Sequence, residues 1–171
     1  MRRFALDQNF PTPIVDSLRD YITEAELISV REIDARLVDI DDWQLLLCLH
    51  NDPGGWDGLI TNDAAMLSLP REMCVLQKTR LKLVVAEGVG HDPVTATGLV
   101  LANLPQICER LDPNRAEVWR LRIVSKNPQV PMDYISTLAG REGQNPSQYF
   151  RSHCLSDQQM ARNPLFGEHH A

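Results

Sequence analysis

No apolar run in the 171 residues approaches the roughly 18 that a membrane-spanning helix needs, so no membrane insertion is expected. The opening Met-Arg-Arg leads into a short apolar stretch and lacks the long apolar region of a signal peptide. A cytoplasmic location is the expectation. The four cysteines (Cys48, Cys74, Cys108, Cys154) form no C-x-x-C pair, and three of them sit among apolar neighbours. Buried, reduced thiols fit that pattern better than a disulfide framework. The five histidines are dispersed, and His169-His170 reads as a frayed terminus. There is no G-x-x-x-x-G-K-[ST], no H-E-x-x-H and no G-x-S-x-G, and Gly88-Val-Gly90 lacks a third glycine and reads as a turn. A net charge of −6 excludes a broadly basic, nonspecific nucleic-acid binder, although not a local acidic site that handles nucleic acid.

What is present is the composition of one well-cored domain, with 43% hydrophobic and 23% charged residues. Short apolar runs alternate with helical spacing. Strands are predicted at residues 2–7, 26–33, 58–61, 81–86 and, at an edge, 117–124. Helices are predicted at 14–21, from Trp43 behind the acidic pair Asp41-Asp42, from Asp63 to near Pro70, and in a long stretch behind Asp92-Pro93. Pro105 should kink or split that last helix. Strands alternating with helices predict an α/β fold: a central, mainly parallel sheet of about five strands flanked by helices. Residues 1–125 would form this domain. Residues 126–171 are polar and punctuated by Pro and Gly, and read as a loosely packed extension of short helices and loops. Met132, Tyr134, Ile135 and Leu138 there suffice for one side of a helix but look too few for a core.

Two of the predicted strands end in aspartate. Phe4-Ala5-Leu6 runs into Asp7, and Leu59-Ile60 runs through Thr61-Asn62 into Asp63. Ligands of open α/β sheets gather at the carboxyl ends of the strands, so Asp7 and Asp63 are expected at one functional edge. Asp41 and Asp42 join them as candidates, with Glu87 and Asp92 further along. Several carboxylates at one edge cannot all be ionised without a counter-charge. A divalent cation is the simplest neutraliser, and an all-oxygen donor set suits Mg²⁺ or Mn²⁺. The same residues have a plainer reading: Asp42 and Asp63 are natural helix N-caps and Asp7 an ordinary turn residue. Asp39, Asp52 and Asp57 fall in loops and read as solvated, and Asp34 could line the site.

Three motifs in order bear on that choice. Residues 4–11, Phe-Ala-Leu-Asp-Gln-Asn-Phe-Pro, Asp42-Trp-Gln-Leu-Leu, and Gly58-Leu-Ile-Thr-Asn-Asp63 resemble successive signatures of PIN-like domains, with the strand at 81–85 following in register. The resemblance covers residues 2–124. It implies a metal-dependent endoribonuclease of the kind found as toxins in bacterial toxin–antitoxin pairs, hydrolysing RNA phosphodiesters with a metal-activated water. Asp7, Asp42 and Asp63 would be the catalytic acids and, with Asp41 as alternative middle acid, the ligands of Mg²⁺ or Mn²⁺. Asn9, Thr61 and Asn62 would position water or substrate. Partners implied are single-stranded or structured RNA, an antitoxin protein and a second copy of the chain. The sequence departs from the family where a basic residue is usual and Asn62 stands instead, in the length of the loop at 51–55, and in its extension. A catalytically inactive PIN-like interaction module is therefore the alternative.

Overall fold

The computed structural model describes residues 1–90, 92–122 and 128–166. Its centre is a five-stranded, all-parallel sheet: β1 (Arg2–Leu6), β2 (Ala25–Ser29), β3 (Gly58–Thr61), β4 (Lys82–Ala86) and β5 (Glu117–Leu121), in spatial order β2-β1-β3-β4-β5. The chain winds outward from β1 in one direction and from β3 in the other. The topological switch point therefore lies between β1 and β3, which pair directly through Leu6 and Ile60.

Period-two alternation assigns the strand residues to two cores. Phe4, Leu6, Ile60, Val84, Ala86 and Trp119 face a layer built from α1 (Thr12–Leu18) and α5 (Pro93–Arg110). Ala5, Leu59, Leu83, Val85 and Val118 face the other layer, which includes α3 (Asp42–Asn51) and α4 (Pro70–Gln77). The short helix α2 (Val30–Ile33) follows β2. Both faces are covered, as an all-parallel sheet requires. At Gly58 the strands approach too closely for a side chain: an added Cβ would lie 2.0 Å from the Lys82 carbonyl oxygen.

Several expectations are corrected. β2 ends at Ser29 rather than running to residue 33, because the Ser29 hydroxyl accepts from the Arg31 backbone N–H at 3.3 Å and caps α2. Pro70 does not end a helix. A 3₁₀ turn, Ala64–Ser68, stops before it, and Pro70 is the first residue of α4. Pro105 lies within a continuous 18-residue α5. Asp52 and Asp57 are engaged rather than merely solvated: Asp57 accepts from the Arg3 backbone N–H at 2.8 Å and from Arg2 Nη1 at 3.0 Å, and Asp52 accepts from Trp56 Nε1. Asp34 caps the 3₁₀ turn Ala35–Val38 and pairs with Arg36. Residues 123 and 124 of the predicted fifth strand, and His169-His170, lie outside the described residues.

The extension is built into the fold. It carries α6 (Pro131–Arg141), α7 (Pro146–His153) and α8 (Asp157–Met160). Ile135, Ala139 and Tyr149 are fully buried, and with Met160 they belong to the same core as α3 and α4. Tyr149 keeps its hydroxyl satisfied by donating to Glu142 Oε1 at 3.0 Å. At the start of the extension the backbone bridges to the sheet, where Val118 and Gln129 exchange antiparallel hydrogen bonds of 2.7 and 2.6 Å. Among the described residues no helix is long and apolar enough to cross a membrane.

Candidate functional site

Asp7 is the first residue beyond β1, and its position is fixed from three directions. Its backbone N–H donates to the Ile60 carbonyl at 2.9 Å, which continues the β1–β3 pairing one step past the strand. The Gln8 N–H donates to Asp7 Oδ1 at 2.7 Å, and the Thr61 hydroxyl donates to Asp7 Oδ2 at 2.8 Å. The carboxylate is only 6% exposed. Burial pushes its pKa up; the Thr61 and Gln8 hydrogen bonds pull it down by less, and the charge of Asp63 adds to the rise.

Asp63 stands across the switch point. Its N–H donates to Thr61 Oγ1 at 2.9 Å, and its Oδ1 caps the following 3₁₀ turn by accepting from the Ala65 N–H at 2.9 Å. Thr61 is fully buried and its hydroxyl serves both aspartates at once. It holds Asp7 in position and ties the turn at Asp63 to it. Asn62 is half-buried in the bend before Asp63, and Asn9 is exposed in the turn closed by the Phe10 N–H on the Asp7 carbonyl at 2.9 Å.

Asp41 and Asp42 differ in their surroundings. Asp41 is the exposed N-cap of α3, its N–H donating to Gln44 Oε1 at 3.1 Å. Asp42, in the first helical turn, is half-buried, and burial raises its pKa first, followed by the charges of Asp7, Asp63 and Asp41 in that order. Of the pair, Asp42 is therefore the acid whose pKa is raised by the charges of the other two. Three aspartates delivered by the end of β1, the start of α3 and the turn after β3 share one electrostatic neighbourhood at the switch point.

Sequence reasoning missed Glu72. It is a buried residue in the first turn of α4, and burial raises its pKa with added contributions from Asp42 and Asp41, offset in part by Arg71. An acid two residues past an N1 proline was the available signal, hidden once Pro70 was read as a terminator. Glu87 and Asp92 do not join the cluster. Glu87 binds the guanidiniums of Arg120 and Arg122, which outweigh its burial and hold its pKa below the usual range, while Asp92 caps α5.

The donor set is hard oxygen and the charges repel one another, which suits a hard divalent cation. The geometry is not a closed cage. Among the described residues no group of three or more His, Cys, Asp or Glu side chains is arranged to hold an ion. Compared with models of protein families, with curated proteins and with solved structures, the chain matches none.

Proposed function

We propose that this chain is a Mg²⁺- or Mn²⁺-dependent endoribonuclease of PIN-like type, acting as the toxin of a bacterial toxin–antitoxin pair. The observation that supports the reading is electrostatic: after burial, the charge of Asp63 adds to the raised pKa of Asp7, and the charges of Asp7 and Asp63 add to that of Asp42. Mg²⁺ sites are commonly completed by one or two carboxylates together with water and substrate phosphates, so an open arrangement of acids is compatible with this use. Asp7, Asp42 and Asp63 would hold the ion. Bound there, it would supply Lewis-acid chemistry, polarising a phosphate oxygen and acidifying water.

The chain's own contribution is orientation. Thr61 and the Gln8 N–H fix one oxygen each of Asp7, and the Asp63 cap fixes the second acid. Pre-positioned carboxylates need little reorganisation when charge develops beside them.

The second reading, an inactive PIN-like interaction module, is favoured by one observation: no three-ligand group is preformed among the described residues. RNA cleavage separates the two. The nuclease reading expects Mg²⁺- or Mn²⁺-dependent cleavage that chelation stops and Asp63→Asn abolishes. Because Asn caps about as well as Asp, that variant should retain stability to within a few tenths of a kcal/mol. No cleavage with either metal would leave the interaction reading, and cleavage unchanged in a folded Asp63→Asn protein would reduce Asp63 to a cap and overturn its catalytic role.

A further inference from the structure

A cleft of about 450 Å³ opens beside the acid cluster, along the carboxyl ends of β4 and β5. One wall is the turn that Asp63 begins, through Ala64, Leu67 and Ser68. The opposite wall is one side of α6, where Asp133, Tyr134, Thr137, Leu138 and Arg141 recur at helical spacing. Arg120 and Arg122 close the end of the cleft from β5 and the residue beyond it.

The charge here runs against that of the chain. Three arginines (Arg120, Arg122, Arg141) against two acids (Glu87, Asp133) leave a formal +1 on the lining, in a protein of net −6. Glu87 is buried and holds both the Arg120 and Arg122 guanidiniums, with Arg120 Nη2 donating to its Oε2 at 2.9 Å. Pinned this way, the two forks are pre-organised and still have N–H groups to give. Among the described residues Arg141 has no carboxylate partner within ion-pair distance. The Tyr134 ring lies 5.8 Å from the Arg120 guanidinium and offers an aromatic face within the same cleft.

We propose that this cleft binds phosphate presented by a ribonucleotide, with Arg122 and Arg141 contacting the phosphate, Arg120 held behind them, and Tyr134 stacking on a base. Planar guanidinium forks match phosphate oxygens two at a time, and base–aromatic stacking tolerates any sequence. The volume is that of a small-ligand site. The proposal deepens the nuclease reading and rests on it for the strand's destination: the cleft would hold the RNA backbone next to Asp63. It also supplies the basic contact that Asn62 does not.

Binding is measured in EDTA, where cleavage plays no part, by fluorescence anisotropy of a labelled single-stranded 12-mer RNA. Arg141→Ala and Arg122→Ala should each weaken binding about tenfold and lower the slope of log affinity against log salt by about 0.7. Arg151→Ala, an exposed arginine on α7 away from the cleft, serves as control and should change neither. Displacement by AMP would mark the cleft as one that takes free nucleotide as well as strand; failure of AMP with success of RNA would mark it as a strand site, and both support phosphate recognition. Unchanged binding in both cleft variants, an equal loss in Arg151→Ala, or equal displacement by an Asp/Glu-rich peptide of matched charge would overturn the proposal. Cleavage without cleft-dependent binding would sink this inference alone, and cleft-dependent binding without cleavage would sink only the nuclease reading.

Discussion

Replacing Asp7 with Asn should change the pH dependence of stability in a direction set by the site. The Asp7 carboxyl titrates at a raised pKa in the folded chain, chiefly because it is buried, and Asp63 adds to the effect. A raised carboxylate pKa means that the folded state binds the proton more tightly, so its stabilising contribution is complete below the unfolded value near 4 and is lost as pH rises through the folded value. At neutral pH the wild-type protein therefore carries a cost of about 1.4 kcal/mol for each pKa unit of elevation, and the variant does not. Asn keeps an acceptor for the Gln8 N–H but loses the acceptor used by the Thr61 hydroxyl, which subtracts about 1 kcal/mol at every pH. The absolute difference at one pH is thus ambiguous, whereas its change with pH is not. Between pH 4 and pH 7.5 the variant should gain on wild type, by roughly 2–4 °C in melting temperature for each kcal/mol in a chain of this size. Removing one negative charge also relieves Asp42, which acts in the same direction. Paired thermal melts across that range are sufficient. A difference that stays flat or falls as pH rises would refute the claim that Asp7 is a strained, buried acid.

Two further outcomes follow from the packing. Tyr149→Ala removes a fully buried ring from the core shared by α4, α6 and α7, and should cost about 3–5 kcal/mol in urea denaturation; a loss below about 1 kcal/mol would mean that residues 126–171 are a detachable appendage. Cys154 is half-buried, and the neighbouring Cys74 side chain, with the charge of Lys78, lowers its pKa, whereas burial raises Cys48 and Cys108 to about 11, so iodoacetamide at pH 7.5 should label Cys154 first by peptide mapping.

β1, β3 and β4 were legible because each is a short apolar run ended by Asp, Asn or Gly, and the alternation of strands and helices was enough to give a parallel sheet. The acids followed from the same endings: Asp7 and Asp63 lie where strand boundaries put them. Other elements depended on information that a local pattern lacks. Val30–Ile33 is as β-like in composition as the strand before it, and only the Ser29 cap turns it into a helix. Pro70 can stop a helix or start one, and the packing of Met73, Cys74, Val75 and Leu76 decided for a start. The extension has too few apolar residues to form a core of its own, but Ile135, Ala139 and Tyr149 complete a core that α3 and α4 leave open. The two-sided use of the Thr61 hydroxyl was invisible for a similar reason, since it depends on β1 and β3 being neighbours.

The central claim is that Asp7, Asp42 and Asp63 together attract a divalent cation, and isothermal titration of Mn²⁺ tests it without reference to cleavage. Wild-type protein should bind the ion at one saturable site and gain melting temperature with concentration, as any ligand of the folded state requires. Folded Asp7→Asn and Asp63→Asn proteins should lose both effects. Absence of Mn²⁺ binding to the wild type, or equal binding by all three proteins, would contradict the account.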